Sequence, residues 1–366
     1  MLPRTRLAAA LGAAAVVLLA GCSAPAAPAP QHSVVAAEPA TPLAELTIPA
    51  DPRAYEGPST AVLPNAAITA PASAPAQELP ATVVSHDLAG DTSVTVRSTE
   101  RILAMDISGS IAATVFGLGF GGSVVGRDVS TTFPGTEDLP VITSSGHTVN
   151  SEAIIALRPT VLITDGSVGP VDVVLQLRDA GIAVVFVDTD PSLDGVGEVA
   201  VQVAAALGAP GAGEQLAGSL KAEIDAKIAE IAGIVPEGEP LRMLFLYLRG
   251  TSGIYYLFGE ESGADVLIRA LGGVDVAAEI GLDGMRPMTD EAMVAANPDV
   301  ILVMTDGIAS VGGVDGLLES KPAIALTAAG QHRRFVDMAD GEILAFGPRT
   351  PAVLDALARA IYAPGQ

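Results

Sequence analysis

Two stretches of the chain, Glu152-Ala-Ile-Ile-Ala-Leu-Arg-Pro159-Thr-Val-Leu-Ile163 and Glu291-Ala-Met-Val-Ala-Ala-Asn-Pro298-Asp-Val-Ile-Leu302, repeat one pattern at a constant offset (291 − 152 = 298 − 159 = 139). Each copy holds a segment of helical character, a proline that ends it, and an aliphatic, β-branched run that reads as a buried strand. One such unit in each half of the chain predicts two pseudo-equivalent lobes. Outward from the repeat, short apolar runs alternate with helical patterns, the signature of parallel-sheet α/β units. Candidate strands are Ser123–Gly126, Thr160–Thr164 and Ala183–Val187 in the first half and Arg242–Tyr247, Val300–Met304 and Arg334–Met338 in the second. Thr92–Arg97 reads as a hairpin strand and Arg101–Met105 as a core strand. Between the halves, Leu216, Leu220, Ile224, Ile228 and Ile231 recur at helical spacing within Gly213–Ile234. A helix of that length reaches about 30 Å, enough to run as a backbone across both lobes.

The N-terminus carries Arg4 and Arg6, an apolar run from Leu7 to Ala20, and Gly21-Cys22, the layout of a secretory signal peptide whose apolar run is too short to span a bilayer. From Ser23 to Pro80 the chain holds 12 of its 27 prolines, with Arg53 as the only Lys or Arg there, a composition expected to behave as a semi-extended tether. The expected organisation is therefore a signal peptide over 1–21, a Pro/Ala-rich tether over 22–81, an N-terminal lobe over 82–210, an inter-lobe helix over 211–235 and a C-terminal lobe over 236–366.

Composition narrows function by exclusion. The 19 basic and 42 acidic side chains leave a net charge of −23, the wrong sign for a nucleic-acid binder. One cysteine excludes an internal disulfide framework and any multi-cysteine metal site. Gly117-Leu-Gly119-Phe-Gly121-Gly122 formally matches a dinucleotide fingerprint, but it follows a predicted helix, Ser110–Phe116, where the fingerprint requires a strand, so it reads as a connector. Neither G-x-S-x-G nor H-E-x-x-H occurs. Of four histidines, His147 stands in a glycine-containing loop, Thr143-Ser-Ser-Gly-His147-Thr-Val-Asn150, ahead of a helix that Asn150 or Ser151 would cap. Tyr247 and Arg249 end the first strand of the second lobe and, two residues apart, share a face. A guanidinium beside a phenol favours the phenolate, which is what a hard ferric ion requires of a tyrosine ligand.

Taken together, Leu19-Ala-Gly-Cys22, the repeat, Gly146-His147-Thr-Val-Asn150 and Tyr247-Leu-Arg249-Gly-Thr-Ser-Gly-Ile-Tyr-Tyr-Leu-Phe-Gly259 resemble the HmuT-type haem-binding lipoproteins of haem-uptake ABC importers. The resemblance extends to Val125-Gly-Arg-Asp-Val-Ser130, the run from Met304 to Leu317, and Phe346-Gly-Pro-Arg-Thr-Pro351. It implies an α/β fold of two Rossmann-like lobes with mainly parallel sheets, joined by one long helix, with the ligand in the inter-lobe cleft. It further implies lipidation of Cys22, palmitate included, and anchoring by acyl chains alone at the extracellular face of the cytoplasmic membrane. The axial haem ligands would be His147 and Tyr247, with Arg249 hydrogen-bonded to the tyrosine. Met285, Arg286, Arg127 and Met304 are candidate pocket residues. The sequence departs from the pattern at Gly284-Met285-Arg286-Pro287, where an aromatic is expected.

The resemblance implies a binding protein, not an enzyme, whose cargo is ferric haem and whose partners are the permease and ATPase subunits of an importer, with a haem-donor surface protein as a further partner. Glu152 and Glu291, equivalent in the repeat, would dock one to each permease subunit. A ferric-siderophore or cobalamin receptor of the same fold leaves His147 and Tyr247 without a metal to ligate. A haem-degrading or ferrochelatase-like enzyme would need titratable groups beside His147, where the loop offers only Ser144 and Ser145. Because the net charge repels a dianionic ligand at long range, cationic side chains such as Arg127 or Arg286 are expected in the pocket.

Overall fold

The computed structural model describes residues 41–144 and 146–366; the signal sequence, Cys22, His32, the first part of the expected tether and Ser145 lie outside the described residues. In the N-terminal lobe, Ile102–Met105, Val161–Thr164 and Ala183–Phe186 form a parallel sheet in that order, and the hairpin Ala81–Ser85/Thr92–Val96 stands beside it. Every residue of the first two strands is buried, as in a sheet covered on both faces. The C-terminal lobe is built on a seven-stranded sheet. Its centre, Arg242–Arg249, Val300–Met304 and Phe335–Met338, is parallel, and Ile254–Phe258 and Met285–Pro287 extend it in antiparallel sense. The expected strand at Ser123–Gly126 does not form. Val125 N–H reaches Ile102 O at 3.0 Å, but Arg127 has already turned to Val141, so the segment never stays beside one partner long enough for a ladder.

The repeat survives in atomic detail. Helices Ser151–Leu157 and Asp290–Ala296 are capped by Asn150 and Thr289, whose side chains accept the N–H of Ala153 and of Ala292, each at 3.1 Å. Both helices end on a left-handed residue, Arg158 (φ 46°) and Asn297 (φ 38°), directly before the repeat's proline. Arg101 donates to Leu157 O at 2.6 Å and Arg242 to Ala296 O at 2.9 Å, so each lobe's leading strand clamps the carboxyl end of the repeat helix. Caps, left-handed residues and clamped carbonyls all recur at the 139-residue offset.

Helix Pro210–Ile234 spans 25 residues, about 37 Å, and Leu216 on it packs against the cores of both lobes. Gly213 admits the preceding helix, Leu193–Ala206, since a Cβ there would lie 2.6 Å from that of Ala204. A second junction joins the two lobes. Arg349 of the C-terminal lobe lies over the ring of Phe133, 5.4 Å from its centroid, and a Cβ on Gly117 would touch Pro348 at 3.2 Å.

The tether expectation is corrected over residues 43–79, which are packed. Leu43, Ala61 and Leu63 enter the C-terminal core, and Ser59–Ala61 forms a parallel edge strand against Phe335–Met338. Arg53 donates to Asp299 at 3.2 Å and to Glu239 O at 2.7 Å. The segment then crosses to the N-terminal lobe, where Ile68 and Leu79 meet the core and Gln77 donates to Leu207 O at 2.7 Å. Gly119, at φ +90°, leaves room for Pro71, whose Cγ would otherwise be 3.0 Å from a Cβ, so the glycine-rich connector is a seat for this strap. A few well-placed aliphatics anchor a proline-rich segment because an edge position and backbone contacts tolerate its missing N–H groups.

Candidate functional site

The carboxyl ends of both sheets face a cleft of about 820 Å³, the place where open α/β sheets meet their ligands. The N-terminal lobe contributes Ile107, Val129 and His147, and the C-terminal lobe Tyr247, Arg249, Met285, Met304, Leu344 and Phe346. His147 sits in the turn of a small hairpin, Thr143–Ser144/Thr148–Val149, after Gly146 at φ +81°. Burial, and then the charge of Arg249, hold its imidazole below the usual 6.5. The ring is therefore neutral near pH 7, with a lone pair free for a metal.

Along Arg242–Arg249 the side chains alternate. Leu244, Leu246 and Leu248 enter one core layer, while Met243, Phe245 and Tyr247 face the other. Tyr247 stacks on Phe258 with centroids 5.7 Å apart and planes 22° from parallel, which fixes the ring. Arg249 does not hydrogen-bond the tyrosine. Its Cζ lies 4.7 Å from the centroid of the Tyr247 ring, while the guanidinium donates to Leu248 O at 2.9 Å and to Asp340 Oδ2 at 3.2 Å. Asp340 in turn accepts from Asp306 N–H at 3.0 Å, so the arginine is held by an anchored carboxylate.

The sequence-proposed site residues divide. His147, Tyr247, Arg249, Met285 and Met304 share the cleft; Arg127 and Arg286 do not line it. Arg127 is turned onto Asp128 O and Thr131 O, 3.2 and 3.3 Å away, and Arg286 points from an exposed edge strand. Met285, 61% exposed, stands where an aromatic was expected and offers a flexible thioether to a planar ligand. The cleft is instead acidic: Asp165, Asp190, Asp306 and Asp340 line it with Arg249 as the one arginine among the described lining residues. No sequence signal marks these four, because only the fold brings them to one rim. Among the described residues no cluster of His, Cys, Asp and Glu could hold a bare metal ion.

Beneath the N-terminal wall lies a further pair that sequence reasoning missed. Asp106 accepts from Ser110 and Ile111 N–H at the start of helix Ser110–Gly117, and Asp128 accepts from Asp106, Ser130 and Thr131 N–H. Burial raises both carboxyls, Asp128 to about 7, with the charge of Asp165 adding to the rise at Asp106 and that of Asp106 to the rise at Asp128. Burial likewise raises Asp275 to about 6, and Asp340 and Glu342 upward. A carboxyl raised in the folded state binds protons that the unfolded chain has lost, so its stabilisation is complete below about pH 4 and fades as pH climbs through 7. The thermal midpoint is expected to fall by several degrees from pH 5 to pH 8, and Asp128→Asn to flatten that slope; a midpoint rising over this range would contradict it.

The family model for periplasmic binding proteins matches residues 107–340, more than half of the chain. An uncharacterized ABC transporter substrate-binding lipoprotein of Bacillus subtilis strain 168, YvrC, is 27% identical over 282 residues, covering 76% of this chain and 85% of that one. The crystal structure of the heme-binding protein HmuT is 39% identical, with a TM-score of 0.79 over 86% of this chain and 99% of that one. Variants of that protein in which one arginine, one tyrosine or one histidine is replaced by alanine have also been solved. The periplasmic heme-binding protein RhuT of Roseiflexus sp. RS-1 is likewise 39% identical, with a TM-score of 0.64 over 74% of this chain and 100% of that one. In fold and in sequence, the chain belongs to the periplasmic binding protein family.

Proposed function

We propose that this chain captures ferric haem in its cleft and delivers it to an ABC importer. The observation that carries the reading is the pairing of a neutral imidazole from one lobe with a phenol from the other across a slot walled by Ile107, Val129, Met285, Leu344 and Phe346. Apolar walls suit the porphyrin faces, and imidazole with phenolate suits six-coordinate ferric iron. The acidic rim favours entry of the apolar porphyrin edge, with the propionates left toward solvent. The likeness to the heme-binding proteins HmuT and RhuT supports the same cargo. The chain then binds and releases haem without altering it. The test is a haem titration followed by absorption spectroscopy, in which the parent protein develops a sharp band near 400 nm, roughly where haem proteins absorb; a colourless protein overturns the reading.

Anchoring is proposed through Cys22, lipidated after cleavage at Gly21-Cys22 and holding the chain at the outer face of the membrane. Among the described residues no helix is long and apolar enough to cross a membrane. Cys22→Ala is expected to release the protein or leave the precursor unprocessed, as read by fractionation and immunoblot.

Glu152 and Glu291 are the proposed contacts to the importer. Each occupies the second position of its helix, and the cap is made by Asn150 or Thr289, so capping does not account for the acids. Both are exposed and, among the described residues, neither makes a hydrogen bond or ion pair. The double variant Glu152→Ala/Glu291→Ala is expected to keep its haem spectrum and melting midpoint while haem transport by the reconstituted importer falls at least tenfold.

A further inference from the structure

The two proposed docking acids have neighbours that neither charge nor capping explains. One turn along from Glu152 stands Ile155, 49% exposed, and one turn along from Glu291 stands Val294, 47% exposed. These residues are equivalent in the repeat, since 294 − 155 is again 139. Beside them Ala156 and Ala295, equivalent in turn, are exposed too, whereas Ile154 and Met293 are fully buried. On a helix, residues three and four apart lie on one face, so each lobe presents the same stripe: an acid, a bare branched aliphatic and an alanine small enough to let another surface close in. Each helix precedes a strand that it antiparallels, which puts its N-terminus, and the acid, at the carboxyl edge of the sheet where the cleft opens.

A single exposed aliphatic is ordinary. An exposed branched aliphatic at equivalent sites of two lobes, each beside an acid with no ion-pair partner among the described residues, is a matched pair. We infer that Ile155 with Ala156 and Val294 with Ala295 are the apolar halves of two equivalent docking stripes. Their occupant is the importer's membrane-spanning pair, each subunit offering a cationic side chain beside an apolar socket. The inference rests on the importer reading above and deepens it. Two alike stripes fit a partner with two alike halves. The acids steer the encounter, and the exposed aliphatics, once the partner covers them, set how long the complex lasts.

The experiment measures binding of the haem-loaded protein to a haem ABC importer in lipid nanodiscs, with association and dissociation rates resolved. Ile155→Ser and Val294→Ser are each expected to weaken binding about tenfold, and the pair about a hundredfold, almost wholly through faster dissociation. Glu152→Ala/Glu291→Ala should act on association and its salt dependence. All variants should keep the parent's Soret band and melting midpoint, since the altered side chains are surface ones. If the double serine variant binds within twofold of the parent while the double alanine variant does not, the stripes are wrong and the importer reading stands. If the parent itself fails to bind, that reading falls and takes the inference with it. Parent protein that self-associates, with dimers lost in the serine variants on sedimentation, would assign the stripes to a second copy and overturn the inference.

Discussion

Tyr247→Ala is expected to lower haem affinity about a hundredfold or more, the largest loss among the cleft variants. The phenol belongs to the central strand of the larger sheet and is stacked on Phe258, so its oxygen is fixed before the ligand arrives. His147 stands in a hairpin turn after a left-handed glycine, a softer mounting, and His147→Ala should cost less. Arg249 touches the tyrosine ring and not its oxygen, so Arg249→Ala is expected to cost about tenfold and to act through orientation and charge. Haem titration with Soret and charge-transfer bands recorded separates the three. Bands unchanged from the parent in both Tyr247→Ala and His147→Ala would remove the ligand assignment.

Arg334→Met is expected to destabilise the chain by about 3 kcal/mol or more, lowering the midpoint by on the order of 5–10 °C. Arg334 is 1% exposed yet has no carboxylate partner among the described residues. Its guanidinium donates to Ala360 O and Ile361 O at 2.8 and 2.7 Å and to Ser59 Oγ at 2.8 Å, and lies 4.8 Å from the centroid of the Tyr55 ring. Burial lowers its pKa to about 10, still far above neutrality, so the charge is retained. One side chain thereby ties helix Thr350–Tyr362, the edge strand Ser59–Ala61 and Tyr55 together. Methionine fills part of the space but leaves Ile361 O without the donor it has here and Ala360 O with the Ser59 hydroxyl alone. Lysine, lacking the planar fork, should recover only part of the loss. Calorimetry checks both, and a methionine variant melting within about 1 °C of the parent would refute the assignment.

The features legible in the sequence are those encoded locally. The repeat, the long helix and most strands follow from periodicity and proline punctuation; Tyr247 and Arg249 reach the cleft from the carboxyl end of a strand, and His147 from the loop that leads into helix Ser151–Leu157. Composition misled over residues 43–79, where average polarity concealed Leu43, Ala61 and Leu63, three side chains sufficient to hold an edge strand. Arg127 and Arg286 could not be placed, since whether an arginine faces a cleft or a backbone carbonyl depends on the segment's twist. Asp340 became part of the site only when the fold brought it 3.2 Å from Arg249, 91 positions away in the chain.

The strap over residues 43–79 also sets a leash. With Cys22 as the proposed anchored residue, about 20 residues separate the membrane from the packed chain at Leu43, a span of at most about 70 Å. Had the packed chain begun only at residue 82, the greatest possible span would have been almost three times as long. An anchored chain stays within that distance of the membrane surface, so it meets an importer by moving along the membrane plane and not through the surrounding volume. The length of the packed strap thus sets how far above the membrane the cleft can be carried.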